Sequence, residues 1–235
     1  MIKFLNLNSE KPYLYFQSLY QEALDNGQRG IEAISVSSYN QIQNEVSLKN
    51  VRVVNNGCSN VTTNTSAVYL SGWADKLLEN CLIVNNATYN AVELRNGNAT
   101  ILNSTLYQSS DLQLNNYDGA ISFVSPQYTL NVINSILWGF PRDISLGGFV
   151  GNIIINNSII ENGLSAINLT GTNGTWSLTS NSVTTNNPLF VDATNGDYRL
   201  SDYSPAIGSG TSTGAPSTDI NGTARPSPSG SNPDM

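Results

Sequence analysis

The chain of 235 residues carries a formal net charge of −7 at pH 7, has no His, and has charged residues at only 11% of its positions. Binding to nucleic acid requires clustered Lys and Arg, and the ten basic residues here are scattered, so no nucleic-acid partner is predicted. No run of about eighteen apolar residues occurs, which predicts that the chain does not span a membrane.

Residues 1–30 are predicted to be an N-terminal cap or an irregular remnant of an earlier repeat. Residues 15–24, closed by Asn26 and Gly27, have the composition of a short amphipathic capping helix, although an irregular remnant fits equally well. The first residues resemble a signal peptide only briefly, because polar residues interrupt the apolar segment that should follow. We therefore expect a piece of a longer chain whose secretion signal lies upstream.

Residues 31–186 repeat a short pattern in which Asn precedes a run rich in Ile, Leu and Val. This Asn recurs with steps of 30, 23, 31, 23 and 24 residues, at Asn50, Asn80, Asn103, Asn134, Asn157 and Asn181. A period in the low twenties with occasional insertions is typical of a solenoid. Asn suits a corner column, because its amide both donates and accepts and because it tolerates a left-handed backbone. The series therefore predicts a structural Asn ladder.

Two inward-facing columns are predicted beside this ladder. The small-residue column comprises Val51, Cys81, Ser104, Ser135, Ser158 and Ser182. The apolar column comprises Val53, Ile83, Leu106, Leu137 and Ile160. Since Cys58 and Cys81 fall at different points of the repeat, a buried free thiol is favoured over a disulfide.

A second series of short apolar segments recurs in register with the Asn series. Its members are residues 67–70, 91–94, 120–123, 143–146 and 166–169. Alternation with a period of two places Val92 and Leu94 inward and Glu93 and Arg95 outward. The sequence therefore predicts an all-β solenoid with coils of about 23 residues, stacked in parallel.

Residues 187–235 abandon the repeat and are rich in turn-forming residues, which predicts a loop-rich C-terminal extension. Their motifs are Asn-Pro-Leu-Phe-Val-Asp at 187–192, Gly-Asp-Tyr-Arg-Leu at 196–200, Ser-Pro-Ala-Ile at 204–207 and Asp-x-x-Gly-x-x-Arg at 219–225. This run closely resembles the C-terminal module of secreted bacterial β-helix proteins called the choice-of-anchor Q type. The Gly-Ala-Tyr-Glu that closes that module does not follow, so we expect the module to be truncated.

The repeats at 31–186 resemble the pectate-lyase-like superfamily of right-handed parallel β-helix proteins, in their Asn column and their Ala-Ile-x-Leu strands. The resemblance implies a right-handed parallel β-helix and, with the module, an extracellular or cell-surface location. That superfamily includes polysaccharide lyases, glycosidases, adhesins and tail fibres, and its shared motifs are architectural, so the fold does not assign a reaction.

Candidates for catalysis are Glu93, Arg95 and Asp143. Hydrolysis of a glycosidic bond needs carboxylates gathered on one face, and Glu93 and Asp143 fall two repeats apart, or roughly 10 Å at the stacking distance. Lyase chemistry needs an Arg or Lys base beside acidic calcium ligands. Glu93 and Arg95 share an outward face, but an exposed pair two residues apart on a strand is commonly a solvated ion pair.

Candidates for carbohydrate binding are Tyr69, Glu93, Arg95, Tyr107 and Trp138, with Trp73 as a further exposed aromatic residue. Such aromatic side chains either stack on sugar rings or pack beneath the insertion at 107–119.

The sequence contains one candidate cofactor site, for calcium, with the oxygen-bearing residues Asp192, Asn195 and Asp197 as its candidate ligands. The alternative is that these residues form hydrogen bonds within a turn around Gly196. No other cofactor is predicted.

The leading hypothesis is a secreted or surface-associated bacterial scaffold, adhesin-like and monomeric, without a catalytic site. Its amide-rich, weakly charged surface suits a polysaccharide or cell-surface glycan as partner. The alternatives are a polysaccharide lyase or glycoside hydrolase acting on uronate-containing polysaccharide, and a structural protein of a phage or fibre.

Overall fold

The computed structural model describes residues 22–24, 34–38, 45–56, 66–112, 119–125, 127–147, 150–171 and 174–235. Predictions for residues 1–21 and for Cys58 lie outside these ranges. Within them, the helical segments are short 3-10 turns at Ser110–Leu112, Leu164–Ala166 and Ala193–Asn195. None of the helices in the described part of the chain is long and apolar enough to cross a membrane.

The strands stack in parallel into a β-solenoid of about four turns, with three sheets running along it. Sheet 1 contains β2 (Ile34–Ser38), β5 (Ser66–Gly72), β8 (Asn90–Arg95), β11 (Gly119–Val124) and β14 (Arg142–Leu146). Sheet 2 contains β3 (Val46–Lys49), β6 (Lys76–Glu79), β9 (Ala99–Leu102), β12 (Thr129–Ile133) and the first halves of β15 (Asn152–Ile160) and β18 (Ser177–Thr184). Sheet 3 contains β1 (Glu22–Leu24), β4 (Arg52–Val54), β7 (Leu82–Val84), β10 (Thr105–Tyr107), β13 (Ile136–Trp138) and the second halves of β15 and β18.

Two small antiparallel pairs lie outside these sheets. They are β16 (Thr170–Gly171) with β17 (Gly174–Thr175), and β19 (Phe190–Asp192) with β20 (Asp197–Leu200). The rest of the chain beyond β18 is turns and loops, which confirms the loop-rich extension.

The predicted apolar column is confirmed, and it forms part of the continuous core. Its members pair from coil to coil along sheet 3, for example Ile83 with Leu106 and Leu106 with Leu137, and all five are buried. Sheet 1 supplies the opposite wall through pairs such as Val68 with Val92. One coil cannot bury these side chains alone, so stacking supplies the hydrophobic stabilisation of the fold.

The small-residue column is confirmed from Val51 to Ser158, and the serines in it form a repeated hydrogen-bond motif. Ser135 Oγ donates to the Ile133 carbonyl at 2.8 Å and accepts from the Ser104 backbone N–H at 3.2 Å. Ser158 Oγ accepts from the Ser135 backbone N–H in the same way, at 3.1 Å. Because the backbone at a sharp corner loses regular sheet partners, a buried hydroxyl satisfies groups that would otherwise be costly to bury.

Five of the six Asn residues predicted to form the ladder share one left-handed corner of the solenoid. Asn50, Asn80, Asn103, Asn134 and Asn157 each have a φ between 46° and 56°, in the left-handed region. Side-chain bonds along the column join Asn80 Nδ2 to Asn50 Oδ1 at 3.0 Å and Asn134 Nδ2 to Asn103 Oδ1 at 3.3 Å.

The sixth position was predicted wrongly, since the last coil is shifted by one residue. Asn181 lies within β18, is exposed and pairs with Asn156, while the left-handed φ of 53° belongs to Ser182. Ser182 is therefore a corner residue, and Val183 pairs with Ser158 in its place. A one-residue slip exchanges the two faces of a strand, and the pairing of Leu178 with Ile153 fixes this register.

Two further expectations are corrected. Residues 166–169 do not form a sheet 1 strand, because the chain there makes a 3-10 turn at Leu164–Ala166 and sheet 1 ends at β14. The capping helix predicted over 15–24 does not include its last three residues, which form β1 and pair with β4. Pairing with an open sheet edge favours the alternative of a remnant repeat at that point.

Candidate functional site

Three of the five candidate binding residues meet on the outer face of sheet 1. Tyr69 pairs with Glu93 in neighbouring strands, and Arg95 follows Glu93 on the same face. Arg95 Nε donates to Glu93 Oε1 at 2.6 Å, and the guanidinium carbon lies 5.8 Å from the centre of the Tyr69 ring. The arrangement combines an ion pair with a cation–π contact.

Glu93 is buried, with 4% of its surface exposed, whereas the sequence predicted a solvated carboxylate. Its second oxygen accepts a hydrogen bond from Ser66 Oγ at 2.9 Å. Burial alone would lower the pKa of Arg95, but the hydrogen bond and charge of Glu93, with a contribution from Tyr69, raise it above its usual value. Glu93 therefore acts to fix a permanently charged Arg95, whose side chain remains 45% exposed.

Trp73 lies in the turn that follows β5, and 46% of its surface is exposed. The turn is held by the buried Lys76, whose Nζ donates to the carbonyl oxygens of Gly72 and Ala74 at 2.6 Å and also to that of Asn96. Burial lowers the pKa of Lys76 to about 8, against the opposing charge of Asp75. Because Asn96 follows Arg95, Lys76 ties the Trp73 turn to the strand end that carries Arg95.

Asp143 does not join this group. It lies on β14, two strands from Glu93, and the register places it on the outward face as predicted, although it is only 3% exposed. Its Oδ2 accepts from the Asn162 backbone N–H at 2.9 Å, while Oδ1 has no partner among the described residues. Burial raises the pKa of Asp143 to about 6, assisted by the charge of Glu161 and opposed by the hydrogen bonds from Asn162. The catalytic candidates are thus not adjacent, because two strands and an offset of two residues separate Asp143 from Glu93.

Tyr107 and Trp138 lie on a different surface, the outer face of sheet 3, where the C-terminal extension covers them. The Tyr107 ring is 5.7 Å from that of Phe190 and 5.3 Å from that of Tyr198, centre to centre. Trp138 packs against a small second core that contains Ile136. The cover that the structure describes comes from residues beyond 187, whereas the sequence suggested the insertion at 107–119, of which residues 113–118 lie outside the described ranges.

The calcium candidates are engaged by local donors. Asp192 accepts from the backbone N–H of Asn195 at 3.2 Å and from its side-chain amide at 2.7 Å. Asp197 accepts three side-chain hydrogen bonds and one backbone hydrogen bond from Arg199, which hold the pKa of Asp197 at about 2. Gly196 turns the chain with a φ of 86°. In the described part of the chain, no three His, Cys, Asp or Glu side chains are grouped as for a metal ion.

The Asn column has a second role that sequence reasoning missed, because it binds the C-terminal extension. The side-chain amides donate to backbone carbonyls of the extension at 2.8–3.0 Å, in the pairs Asn80 with Thr218, Asn103 with Asp234, Asn134 with Thr211 and Asn157 with Ser209. Only the Asn spacing was visible in the sequence, since a carbonyl acceptor has no sequence signature.

A second Asn corner was also missed. Asn55 and Asn85 have φ values of 55° and 50°, and the residues after them, Asn56 and Asn86, are buried and hydrogen-bonded to each other. The Asn-Asn doublets recur at a step of 30 residues, the same step that separates Asn50 from Asn80. That shared step was the available signal.

Comparison of the chain with protein-family models, with curated proteins and with solved structures found no match in any of the three. Function therefore has to be argued from the geometry of the chain itself.

Proposed function

We propose that this chain is a rigid, secreted or cell-surface scaffold that binds carbohydrate on the outer face of sheet 1 and catalyses no reaction. The observation that carries the proposal is the Tyr69–Arg95–Glu93 arrangement beside the exposed Trp73. Aromatic faces supply apolar contact for the C–H side of a sugar ring, and a fixed guanidinium supplies donors for its hydroxyl groups.

Rigidity favours such binding, because groups that are already ordered lose little entropy when a ligand arrives. Arg95 is held by Glu93, and Glu93 by Ser66 on the neighbouring strand. The turn of Trp73 is held by Lys76. Tyr69 and Arg95 are thus attached to parallel strands of a packed sheet, and Trp73 lies in a turn that Lys76 ties to the end of one of these strands.

The location is supported by two resemblances of the sequence. Residues 187–226 resemble the choice-of-anchor Q module, and the repeats resemble the pectate-lyase-like superfamily. The module is associated with secreted bacterial proteins, and the superfamily includes enzymes that act on polysaccharides.

The arrangement does not favour the lyase or hydrolase alternative. Glu93 is occupied by Arg95 and Ser66, and Asp143 lies two strands away with its Oδ2 engaged by Asn162. A general acid and base acting on one bond have to converge on that bond.

The test is binding to a glycan array, followed by titration calorimetry on the best ligand. Tyr69→Ala and Trp73→Ala are each expected to weaken binding about tenfold, the usual effect of removing an aromatic contact. Tyr203→Ala is the matched control, because Tyr203 is 90% exposed on the C-terminal extension.

Absence of binding to every glycan would leave a scaffold without a carbohydrate ligand. Depolymerisation of a uronate polysaccharide that is lost in Glu93→Gln or Arg95→Ala would replace the proposal with the enzymatic alternative.

A further inference from the structure

A cavity of about 510 Å³ lies between the outer face of sheet 3 and the C-terminal extension. The solenoid side includes Arg52 and Thr105, and the extension side includes Asp219, Arg225 and Asp234. The volume is within the range of small-molecule sites, about 300–1,000 Å³. This cavity is separate from the proposed carbohydrate site on sheet 1.

Two arginines in the wall, Arg52 and Arg225, form no ion pair with any carboxylate whose side chain the structure describes. Arg52 Nη2 donates to the amide oxygen of Asn221 at 2.5 Å. Arg225 Nη1 donates to the Asn80 amide oxygen at 2.8 Å and to the Thr218 carbonyl at 3.2 Å. Both cations are thus hydrogen-bonded to neutral oxygens only, which leaves the other donors of each guanidinium without a protein acceptor in that part of the chain.

The acidic side chains of the wall are satisfied within the extension. Asp219 Oδ1 accepts from the backbone N–H groups of Asn221 and Thr223, both at 2.8 Å. Asp234 Oδ1 accepts from the Gly208 N–H at 2.7 Å, and Asp197 is paired with Arg199. The carboxylates of Asp219 and Asp234 therefore accept from backbone N–H groups of the extension, while Arg52 and Arg225 have donors available for a ligand.

Arg225 is also partly desolvated. Burial lowers its pKa, and the charges of Asp219, Asp234 and Glu79 oppose this change. The cost of burying the Arg225 cation outweighs the favourable effect of these charges, and a bound anion would offset the remainder.

We propose that this cavity binds a small ligand that carries an oxyanion, held by the guanidinium groups of Arg52 and Arg225. A planar guanidinium matches the oxygens of a carboxylate, a sulfate or a phosphate with two parallel hydrogen bonds. The hydroxyl of Thr105, also in the wall, can bond a neutral hydroxyl group of the same ligand.

The test is titration calorimetry and thermal shift at low ionic strength with four probes: inorganic phosphate, sulfate, glucuronate and, as a neutral control, glucose. We expect at least one anion to bind and to raise the melting temperature, and glucose to do neither. The anion that binds distinguishes a phosphate or sulfate group from a sugar carboxylate.

Arg52→Gln and Arg225→Gln are each expected to weaken the anion about 10- to 100-fold, the value of a charged hydrogen bond. Arg199→Gln is the matched control, because Arg199 also lines the cavity but is already engaged by Asp197, so affinity should change by less than about twofold. If Arg225→Gln fails to fold, Arg52→Gln and the shorter donor of Arg225→Lys decide the question.

Three results would overturn the proposal: no binding by any of the three anions, equal binding of glucose, or equal weakening in Arg199→Gln and Arg52→Gln. The carbohydrate proposal is tested by Tyr69→Ala and Trp73→Ala on the other face, so one can fail while the other stands.

Discussion

The outer faces of sheets 1 and 3 differ although both enclose the same core. On sheet 3 the outward residues Ile136 and Ile159 are almost fully buried, in a second small core with Ala206 of the extension. On sheet 1 the outward residues Tyr69 and Ser122 remain partly exposed. The inward columns determine how the chain coils, while the outward side chains decide whether another segment covers the coil.

The Asn column runs along the corner between sheets 2 and 3. It lies at the edge of the surface that the C-terminal extension covers. The amide of Asn134 donates to Asn103 and to the Thr211 carbonyl, and its oxygen accepts from the Thr211 N–H at 2.8 Å. The same side chain therefore closes the solenoid corner and fastens the extension.

The largest effect is expected for Asn134→Ala, which should lower the free energy of unfolding by about 3–5 kcal/mol. The substitution removes three hydrogen bonds from a buried site and places Ala at a φ of 50°. The measurement is urea denaturation followed by circular dichroism.

Asn181→Ala is the matched control, because Asn181 is exposed in an extended strand and should change stability by less than about 0.5 kcal/mol. Asn134→Gly should fall between the two, since Gly keeps the left-handed backbone and loses only the bonds. Equal losses for Asn134→Ala and Asn181→Ala would contradict the register of the last coil.

The second prediction tests the covered face against the uncovered one. Ile136→Ala should cost about 3 kcal/mol, because Ile136 is 1% exposed and its loss leaves a cavity beneath the extension. Tyr69→Ala should cost less than about 1 kcal/mol, because its ring is partly exposed on sheet 1.

Limited proteolysis provides a second readout for this pair. Ile136→Ala should accelerate cleavage within residues 187–235, since the extension packs on this side chain, and Tyr69→Ala should not. Accelerated cleavage of the extension in both variants would mean that the two faces do not differ as described.

The sequence predicted what depends on local chemistry. Asn at a left-handed corner, and apolar residues every second position, are both requirements that a single coil imposes on its own residues. The solenoid, the apolar column and five Asn positions followed from them. The prediction for Asn181 was wrong, because Asn181 and Ser182 both fit the local pattern and only the pairing of β18 with β15 distinguishes them.

The rest depended on segments far apart in the chain. The hydrogen bond from Asn80 to Thr218 joins residues 138 positions apart, and no pattern in either segment predicts it. For the same reason the cover over Tyr107, and the contact of Asp143 with Asn162, were not visible in the sequence.

The third prediction concerns Asp143, which shows that sheet 1 is covered at its last strand. A pKa of about 6 in the folded state lies above the ordinary Asp value of about 3.9, so the folded state binds the proton more tightly than the unfolded one. This group therefore stabilises the fold below about pH 4, and that contribution is lost as the pH rises to about 6, by roughly 3 kcal/mol in total.

Asp143→Asn should remove this slope, because Asn keeps an oxygen for the Asn162 N–H and does not titrate. The measurement is the free energy of unfolding between pH 4 and pH 7. Asp202→Asn, in an exposed turn, should retain the slope of the unaltered protein. An unchanged slope in Asp143→Asn would assign the pH dependence to other groups.

The smallest effect is expected in the small-residue column, which lies at the corner between sheets 2 and 3. Burial raises the pKa of the Cys81 thiol to about 12, opposed by its backbone hydrogen bonds to Val51 and Glu79, so the thiol should be inert to alkylation until the chain unfolds. The reaction should be followed in a Cys58→Ser background, so that only Cys81 is observed.

Cys81→Ser should change stability by less than about 1 kcal/mol, because Ser at Ser104 and Ser135 already makes the bond to the carbonyl two residues earlier. Ser135→Ala should cost more, about 1–3 kcal/mol, since it leaves the Ser104 N–H without its acceptor. If Cys81→Ser cost as much as Ser135→Ala, the column would depend on the shape of each residue rather than on its hydrogen bonds.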